Sequence, residues 1–388
     1  MGSPCKPRAR DAQHELKCSV VSSLFTRSHQ WLVLPRPSYS LWSTVYVNAS
    51  GNVTTSGPFT YPNASTPFVA SVSDFYDVVG DGASLEVVAR AEYAAFHEAG
   101  VYISSTNEVY FTSNKLNTTN ATEYRFPSYG QFSKISLTPS PNGTYEWSTL
   151  LPPSDQLVMP NGGTVYNGQV LMAAQGYGLD VASSLGFNSI NDVAVLFANR
   201  AVDEQWVFFT DPPYGYFQGF KPYPSLPLRY TPSTHRQFSE DYKTCYISDT
   251  GFISAVAGDP HPADGRRPGT IYAYDVVAPP EGADPKLVPP TLTNRRVFAF
   301  ADSGMPDGIK VDTAGNVYAG CFDGVHVWNK HGALLGKILL GLDELTETSD
   351  GVTGKGCSNL VFVPGGLLMF SEDRMYLAKI KAKGALLA

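Results

Sequence analysis

Apolar and polar residues alternate over short stretches of residues 305–337, and turn-forming residues separate these stretches. Residues 309–312 are Ile-Lys-Val-Asp, residues 317–320 are Val-Tyr-Ala-Gly, and a third apolar stretch covers residues 324–328. Period-two alternation is typical of strands, and the Gly, Asn and Asp residues between the stretches allow the positive φ of tight turns. The pattern predicts an antiparallel meander that begins after a Pro-Asp-Gly turn at residues 306–308.

Similar runs recur along the chain. Each pairs aromatic or β-branched residues with a small polar residue and ends in or beside Gly, Asp or Ser. The six runs are EVYFTS from Glu108, QVLMAAQG from Gln169, WVFFTDPPYG from Trp206, CYISDTG from Cys245, VYAGCFDG from Val317 and LLMFSEDR from Leu367. Their starting positions differ by 61, 37, 39, 72 and 50 residues, which brackets the roughly 40 to 50 residues of a four-stranded propeller blade. We therefore predict a six-bladed β-propeller rather than a β-sandwich, which would not explain why the runs resemble one another.

Two intervals between these runs are too short for complete blades. Residues 177–187 leave too little room for two further strands of about five or six residues with their turns. Residues 221–237 are rich in proline, which lacks the hydrogen-bond donor that a central strand needs. We therefore expect two shortened blades, with about 15 to 20 residues absent near the second interval at about five or six residues per strand.

The composition agrees with an all-β protein. The chain has 388 residues, of which 43% are hydrophobic and only 16% are charged, and it is rich in Gly, Pro, Tyr and Phe. Long surface helices would bring more Glu and Lys. Residues 1–68 lack periodicity and are rich in Ser, Thr, Pro and Asn. We expect them to form an irregular leader with one strand near residues 45–47, followed by the propeller in residues 69–388.

Charge and hydropathy narrow the class of partner. A formal net charge of -7 and a pI near 5.5 leave no basic surface for nucleic acid or an anionic membrane. No apolar run reaches the roughly 18 residues of a membrane-spanning helix, so we expect a soluble chain. A small neutral or cationic molecule remains as a partner, and the sequence does not indicate an oligomeric state.

Glycosylation acceptors favour secretion. Residues 19–25 are too short and too polar for a convincing signal-peptide core. However, six Asn-X-Ser/Thr acceptors cluster in the first part of the chain, in Ser-, Thr- and Pro-rich sequence. They are Asn48, Asn52, Asn63, Asn117, Asn120 and Asn142. We therefore expect a secreted glycoprotein.

The five cysteines predict neither a zinc site nor a disulfide framework, because their number is odd and none of them forms a CxxC pair. Cys321 and Cys357 lie in apolar, strand-like sequence. We expect both to be buried thiols that pack as small hydrophobic residues.

Five stretches, taken in order, resemble the gluconolactonase/regucalcin superfamily, and most closely its fungal secreted lactonohydrolases. The stretches are FHEAGVYISSTNEVYFTS (96–113), MPNGGTVYNGQVLMAAQGYG (159–178), FNSINDVAV (187–195), FFTDPPYGYFQGF (208–220) and the meander of residues 305–337. The resemblance covers about residues 75–380. It implies a six-bladed propeller with Ca²⁺ or another divalent ion in its central channel, and hydrolysis of a small-molecule lactone of the aldonolactone type.

The resemblance also implies the site residues. The metal ligands would be Glu98, Asn191 and Asp307, with catalytic roles for Asp307 and Glu98. Carboxylate and amide oxygens are the ligands that Ca²⁺ prefers, and a cation would relieve the repulsion between two carboxylates in one channel. It would also polarise the lactone carbonyl while Asp307 accepts a proton from the attacking water. Asn161 and Asp192 are expected to contact the substrate.

The residues alone leave another role open for Glu98. Residues 85–100 contain good helix formers and end in Gly100. Glu98 could therefore lie at the solvated end of a helix, with His97 as a surface neighbour.

Other candidates also have simpler interpretations. Asp307, Asn161 and Asn191 occupy turn-like sequences and could be turn residues only. His326 alternates with two valines, so its side chain points away from theirs. We expect His326 at the surface or in a groove rather than in a catalytic site.

One ligand position departs from the family pattern. The family usually has Pro-Asn-Gly before its fourth inner strand, where this chain has Ser233, Thr234 and His235. A Thr hydroxyl is a poorer Ca²⁺ ligand than an amide oxygen. This departure keeps open a catalytically inactive metal-binding or interaction propeller.

Overall fold

The computed structural model describes the chain in several segments. The described residues are 46–47, 53–54, 67–119, 128–150, 159–166, 168–174, 184–188, 195–196, 201–202, 205–206, 233–251, 269–284, 287–288, 290–342, 346–348, 351–353 and 356–385.

The chain divides into two units, of which the smaller comprises residues 1–61 and 347–352. Its described part contains an antiparallel hairpin of β1 (Tyr46–Val47) and β2 (Val53–Thr54). This hairpin contains the strand expected near residues 45–47.

The larger unit comprises residues 62–346 and 353–388 and is built from antiparallel sheets. The first sheet contains β5 (Glu98–Ile103), β6 (Glu108–Thr112), β9 (Phe132–Ser136) and β10 (Trp147–Leu150). The second contains β11 (Pro160–Tyr166), β12 (Gln169–Ala174), β13 (Ser184–Asn188) and β14 (Val195–Leu196). The third contains β17 (Ser233–Phe238), β18 (Thr244–Asp249), β19 (Thr270–Val277) and β20 (Thr291–Phe300).

The last two large sheets each take up a strand from the beginning of the unit. The fourth sheet contains β21 (Ile309–Val311), β22 (Val317–Cys321), β23 (Gly324–Trp328) and β24 (Leu334–Leu339), with β3 (Phe68–Ala70) beside β24. The fifth contains β27 (Asn359–Val363), β28 (Gly366–Ser371) and β29 (Arg374–Lys379), with β4 (Ser84–Arg90) beside β29.

Smaller elements complete the described part of the chain. Three hairpins pair β7 (Leu116–Asn117) with β8 (Ser128–Tyr129), β15 (Ala201–Val202) with β16 (Gln205–Trp206), and β25 (Thr346–Thr348) with β26 (Gly351–Thr353). The one helix among the described residues is α1 (Phe75–Val79). None of the described helical structure is long and apolar enough to cross a membrane.

The first strands of the five large sheets lie side by side. β17 lies next to β21, β21 next to β27, β27 next to β5, and β5 next to β11. The neighbouring sheets then pack face to face, and each hydrophobic core cluster draws residues from two adjacent sheets. Phe111 of the first sheet packs on Phe370 of the fifth, and Tyr318 of the fourth packs on Phe362 of the fifth.

This packing explains why the apolar runs are nearly continuous. Every residue of β22, β23, β27 and β28 is buried, because a neighbouring sheet covers each face. Burial alternates in β21, whose Lys310 is half-buried between two buried residues.

The repeated runs correspond to one position in the sheets. The runs from Glu108, Gln169, Cys245, Val317 and Leu367 fall on β6, β12, β18, β22 and β28, and each of these is the second strand of its sheet. The run from Trp206 lies largely outside the described residues.

Five large sheets are described, and six blades are not established. The first short interval, residues 177–187, contains the start of β13, and β14 follows it, so this sheet has four strands with a two-residue fourth strand. Most of the second short interval lies outside the described residues. Its end forms β17, and Ser239–Thr244 then makes the turn into β18.

Candidate functional site

Polar residues converge where the first strands begin. Glu98 is the first residue of β5, Asn359 is the first residue of β27, and Asp307 precedes β21 by two residues. Because these strands lie side by side, their starting ends form one edge of the unit. The alternative role of Glu98 at a helix end is wrong, since residues 84–90 and 98–103 are both strands.

Backbone irregularities mark the same ends of three first strands. The register of β5 shifts between Ala99 and Val101, and Ala99 has a φ of 71°. In β11 the shift leaves Asn161 unpaired, and in β17 it leaves Thr234 unpaired. β-Bulges re-aim side chains and are frequent beside active sites, and positive φ in a non-glycine residue is a strain that often accompanies function.

Glu98 and Asn359 are in direct contact. Asn359 Nδ2 donates to Glu98 Oε2 over 2.8 Å, and Asn359 Oδ1 accepts from the Leu360 backbone N–H over 2.7 Å. Both side chains belong to residues that are only 1% exposed. A buried carboxylate is costly unless partners compensate its charge, so this position favours a cationic neighbour.

The turn that carries Asp307 is fixed by three sheets. The Asp307 N–H donates to Gly320 O over 2.9 Å, and the Gly308 N–H donates to Ser358 O over 2.8 Å. Ser248 Oγ donates to the Asp307 carbonyl over 3.0 Å. The half-buried Asp307 is therefore held at a defined place between its neighbours.

His97 lies next to Glu98 in the chain and contacts a further carboxylate. Its Nδ1 lies 2.6 Å from Glu372 Oε1. Burial opposes a charged imidazole, yet Glu372, Glu98 and Asp307 together raise the pKa of His97 to about 9. Two of these three are the carboxylates that the resemblance assigns to the metal.

Lys310 lies on β21, the strand that follows Asp307, and the Glu98 carboxylate also acts on it. Burial lowers the pKa of Lys310 to about 8, although Glu98 acts in the opposite direction. We call His97, Glu98, Asp307, Lys310 and Asn359 the inner-strand cluster. Its two carboxylates and one amide are the hard oxygen ligands that suit Ca²⁺.

The other predicted site residues are not shown to join the inner-strand cluster. Asn161 lies on β11, and its backbone carbonyl accepts from Thr112 Oγ1 over 3.0 Å. Its half-buried side chain has no described hydrogen bond to Glu98 or Asp307. Asn191 and Asp192 lie outside the described residues.

Sequence reasoning missed Asn359, although a spacing signal could have found it. Glu98 and Asp307 each precede an apolar run by ten positions, and Asn161 and Asn359 each precede one by eight. All four positions therefore lie at or near the start of a first strand, and that strand and one turn separate them from the second strand of the same sheet. The resemblance drew attention to only three of them.

A second charged cluster lies outside the inner-strand cluster. Ligand atoms of Asp302, Asp323 and His326 lie within 4.8 Å of one another, close enough to hold a metal ion. However, Lys337 Nζ lies 2.6 Å from Asp302 Oδ1 and 3.1 Å from Asp323 Oδ2. An ammonium group therefore already supplies the positive charge, and a metal would have to displace it.

The expectation that His326 lies at the surface or in a groove was wrong. Its residue is 0% exposed, and its Nε2 lies 2.6 Å from Asp323 Oδ1. Alternation with valines placed it on the other face of β23, but that face is also covered by a neighbouring part of the unit.

The cysteines and the glycosylation acceptors are partly described. Cys321 and Cys357 are buried free thiols, as predicted, and burial raises the pKa of both. Asn117 and Asn142 are exposed. The remaining acceptors, Asn48, Asn52, Asn63 and Asn120, lie outside the described residues.

Solved structures with a similar fold include a gluconolactonase. A gluconolactonase from Xanthomonas campestris matches with a TM-score of 0.54 and 18% identity, over 84% of this chain and 98% of that chain. The chain has the gluconolactonase fold. A protein provisionally described as a gluconolactonase matches with a TM-score of 0.51 and 17% identity, over 82% of this chain and 99% of that chain.

More distant similarity adds no further argument. A calcium-binding regucalcin from Agrobacterium tumefaciens matches with a TM-score of 0.40 and 12% identity, over 78% of this chain and 95% of that chain. No protein-family model matches the sequence, and no curated protein sequence matches it either.

Proposed function

We propose that this chain hydrolyses a lactone of the aldonolactone type at the inner-strand cluster, with the help of a divalent cation, most simply Ca²⁺. The observation that carries the proposal is that Glu98 and the Asp307 turn, 209 positions apart in the chain, meet the same side chain. Asn359 donates to Glu98 over 2.8 Å and lies directly against Gly308, the residue after Asp307. The gluconolactonase fold supports the choice of a lactone.

Glu98, Asn191 and Asp307 would hold the ion. Once bound, the ion would polarise the lactone carbonyl. The Asp307 carboxylate would accept a proton from the attacking water, and the same group could return it to the leaving ring oxygen, so that lactone and water give one hydroxy acid. Asn359 would orient the Glu98 carboxylate through its 2.8 Å hydrogen bond, and Asn161 and Asp192 would contact the substrate.

The test is the hydrolysis of glucono-δ-lactone, with the rate of acid release measured by pH-stat titration. We expect turnover that disappears after exhaustive chelation and returns with Ca²⁺. We expect Asp307→Asn to lower kcat by at least a hundredfold, since a general base contributes about 10²–10⁴-fold. Asp241→Asn, in the exposed β17–β18 turn, is the control and should retain full activity.

Two results would contradict the proposal. One is turnover that survives chelation, and the other is turnover that survives the loss of the Asp307 carboxylate. Melting curves of both variants show whether a loss of activity reflects chemistry or unfolding.

A metal-binding propeller without catalysis is the second candidate. The observation that favours it is Thr234, which occupies the bulge of β17 where the family carries an asparagine. Under this alternative Ca²⁺ would raise Tm without any lactone turnover. Thr234→Asn separates the two candidates, because restoring the amide should then be required for activity.

We also propose a complete six-bladed architecture and a secreted location. The hairpin of β15 and β16 would belong to the sixth blade, and residues 69–388 would form the propeller after a leader of residues 1–68. Glycosylation at the six acceptors is supported by the exposure of Asn117 and Asn142. Treatment of protein from a eukaryotic host with an endoglycosidase would reveal attached glycans as a loss of mass.

A further inference from the structure

Glu372 has an unusual backbone and an accessible side chain. It follows β28 directly, and its φ is 59°. This is the left-handed region, which glycine and asparagine adopt far more readily than glutamate. Its side chain is 43% exposed, so burial does not explain why a glutamate occupies this position.

Two chain segments converge on this carboxylate. Glu372 Oε1 lies 2.6 Å from His97 Nδ1, and Asn114 Nδ2 lies 3.2 Å from Oε2 and 3.4 Å from Oε1. The backbone groups of Phe96 and Glu372 also bond to each other in both directions, over 2.8 and 2.9 Å. The carboxylate is therefore held in place, and its Oε2 has capacity for another donor.

His97 belongs to the inner-strand cluster, and Glu372 and Asn114 lie beside it. His97 directly precedes Glu98, and Asn114 lies two residues beyond Thr112, the register partner of Glu98. Ser371 and Glu372 follow Phe370, the register partner of Asn359. All of them therefore lie at the edge where the carboxylates converge.

We propose that Glu372, Asn114 and His97 form a hydroxyl-binding subsite for the polyhydroxylated part of the substrate. The inference rests on the proposed hydrolysis of an aldonolactone and adds the residues that would select for the hydroxyl groups of that substrate. The partly exposed carboxylate accepts hydrogen bonds from ligand hydroxyls, and the Asn114 amide can donate to a neighbouring ligand oxygen.

Selectivity follows from the cost of an unmade hydrogen bond. When a ligand covers the subsite, water leaves Glu372, and only a ligand with hydroxyl groups replaces the lost hydrogen bonds. A ring without hydroxyls gains nothing from the carboxylate. Polar sites discriminate strongly against ligands that lack the matching group.

The test compares two pairs of ligands that differ only in their hydroxyl groups. The substrates are glucono-δ-lactone and δ-valerolactone, and the non-hydrolysed analogues are gluconolactam and δ-valerolactam. Binding of the lactams by titration calorimetry gives a readout that does not depend on turnover. The variants are Glu372→Gln, Glu372→Gly, which suits the positive φ, and Glu240→Gln as an exposed control in the distant β17–β18 turn.

We expect Glu372→Gln and Glu372→Gly to weaken gluconolactam binding by about tenfold to a hundredfold, the range for losing a hydrogen bond to a charged group. KM for glucono-δ-lactone should rise accordingly, with a smaller change in kcat. Binding of δ-valerolactam should stay within about twofold, below the tenfold that 1.4 kcal/mol represents. Glu240→Gln should change neither ligand.

Equal losses for both lactams would overturn the subsite and leave Glu372 with a purely structural role. Equal affinity of the unmodified protein for both lactams would overturn it as well. If gluconolactam binding is selective and depends on Glu372 but no lactone is turned over, the subsite stands and the proposed hydrolysis fails.

Discussion

At the scale of single residues, the contact between Asn359 and Glu98 pairs a neutral amide with a carboxylate inside the inner-strand cluster. The amide donates one neutral hydrogen bond over 2.8 Å to a carboxylate that is almost fully buried. Burial lowers the pKa of Lys310 to about 8, although Glu98 acts in the opposite direction. A further carboxylate at this point would need a cation.

We therefore predict that Asn359→Asp makes stability depend on calcium. Without a divalent ion, two carboxylates would lie side by side, and the free energy of unfolding should fall by about 1–3 kcal/mol or more. Added Ca²⁺ should restore Tm. Thermal unfolding with chelator and with Ca²⁺ measures the effect.

Asn329→Asp is the matched control. Asn329 Oδ1 accepts from the backbone N–H groups of His331 and Ala333 in a turn, and a carboxylate can accept both bonds equally well. Its Tm should not respond to Ca²⁺. If Asn359→Asp behaves in the same way, the inner-strand cluster is not a cation site.

Asp323, in the second charged cluster, makes the free energy of unfolding depend on pH. Burial alone would raise the pKa of Asp323, but His326 and Lys337 hold it at about 2. The folded-state pKa lies below the unfolded value, so the unfolded chain binds the proton first as pH falls. The stabilisation is complete above about pH 4 and is lost toward pH 2.

We predict that Asp323 contributes about 2 kcal/mol to this acid sensitivity, the equivalent of its lowered pKa. Asp323→Asn should remove that part of the pH dependence and lower stability at neutral pH. Denaturant unfolding at a series of pH values measures both. Val325→Ala, a buried change on the same sheet, should lower stability by about 1–3 kcal/mol at every pH; a parallel curve for Asp323→Asn would argue against the assignment.

At the scale of elements, the Pro-Asp-Gly turn acts as a joint between sheets. Its backbone bonds to Gly320 of its own sheet and to Ser358 of the next, and its carbonyl accepts from Ser248 of the previous sheet. A Cβ on Gly308 would lie 2.5 Å from Asn359 Oδ1 and 2.6 Å from Asn359 Cα. Only glycine allows this approach.

Gly308→Ala is therefore predicted to disturb Asp307 and Asn359 together. We expect a stability loss of about 1–3 kcal/mol, typical of overpacking, and a fall in lactone turnover of at least tenfold. Gly365→Asn, in the β27–β28 turn, is the control, since Gly365 has open space around it and asparagine tolerates its positive φ. Unchanged turnover in Gly308→Ala would show that the position of the turn is not critical.

At the scale of the whole molecule, early strands complete the later sheets. β4 pairs with β29 and β3 pairs with β24, so both sheets depend on residues that precede the first four-stranded sheet. Without β4, the edge of β29 would offer unpaired backbone groups, which promote aggregation. The hydrophobic core between the first and fifth sheets would also lose the apolar side chains that β4 contributes to it.

We predict opposite outcomes for two deletions. Removal of residues 1–61, which contribute to the smaller unit, should leave a monodisperse protein with an unchanged Tm. Removal of residues 1–90 also removes β3, α1 and β4 and should cause aggregation. Size-exclusion chromatography and thermal unfolding distinguish the two; a stable protein lacking residues 1–90 would contradict the role of the closing strands.

The sequence by itself determined the recurring apolar runs and the turns of the meander at residues 305–337, because these depend on local periodicity and on residues such as Gly315, whose φ is 83°. It also indicated Glu98 and Asp307, through the resemblance of short motifs. The tertiary structure alone decided that Asn359 meets Glu98 and that His326 is buried beside Asp323. Both facts depend on neighbouring sheets that cover a strand on each face, and contacts between residues far apart in the chain leave no periodic signal in it.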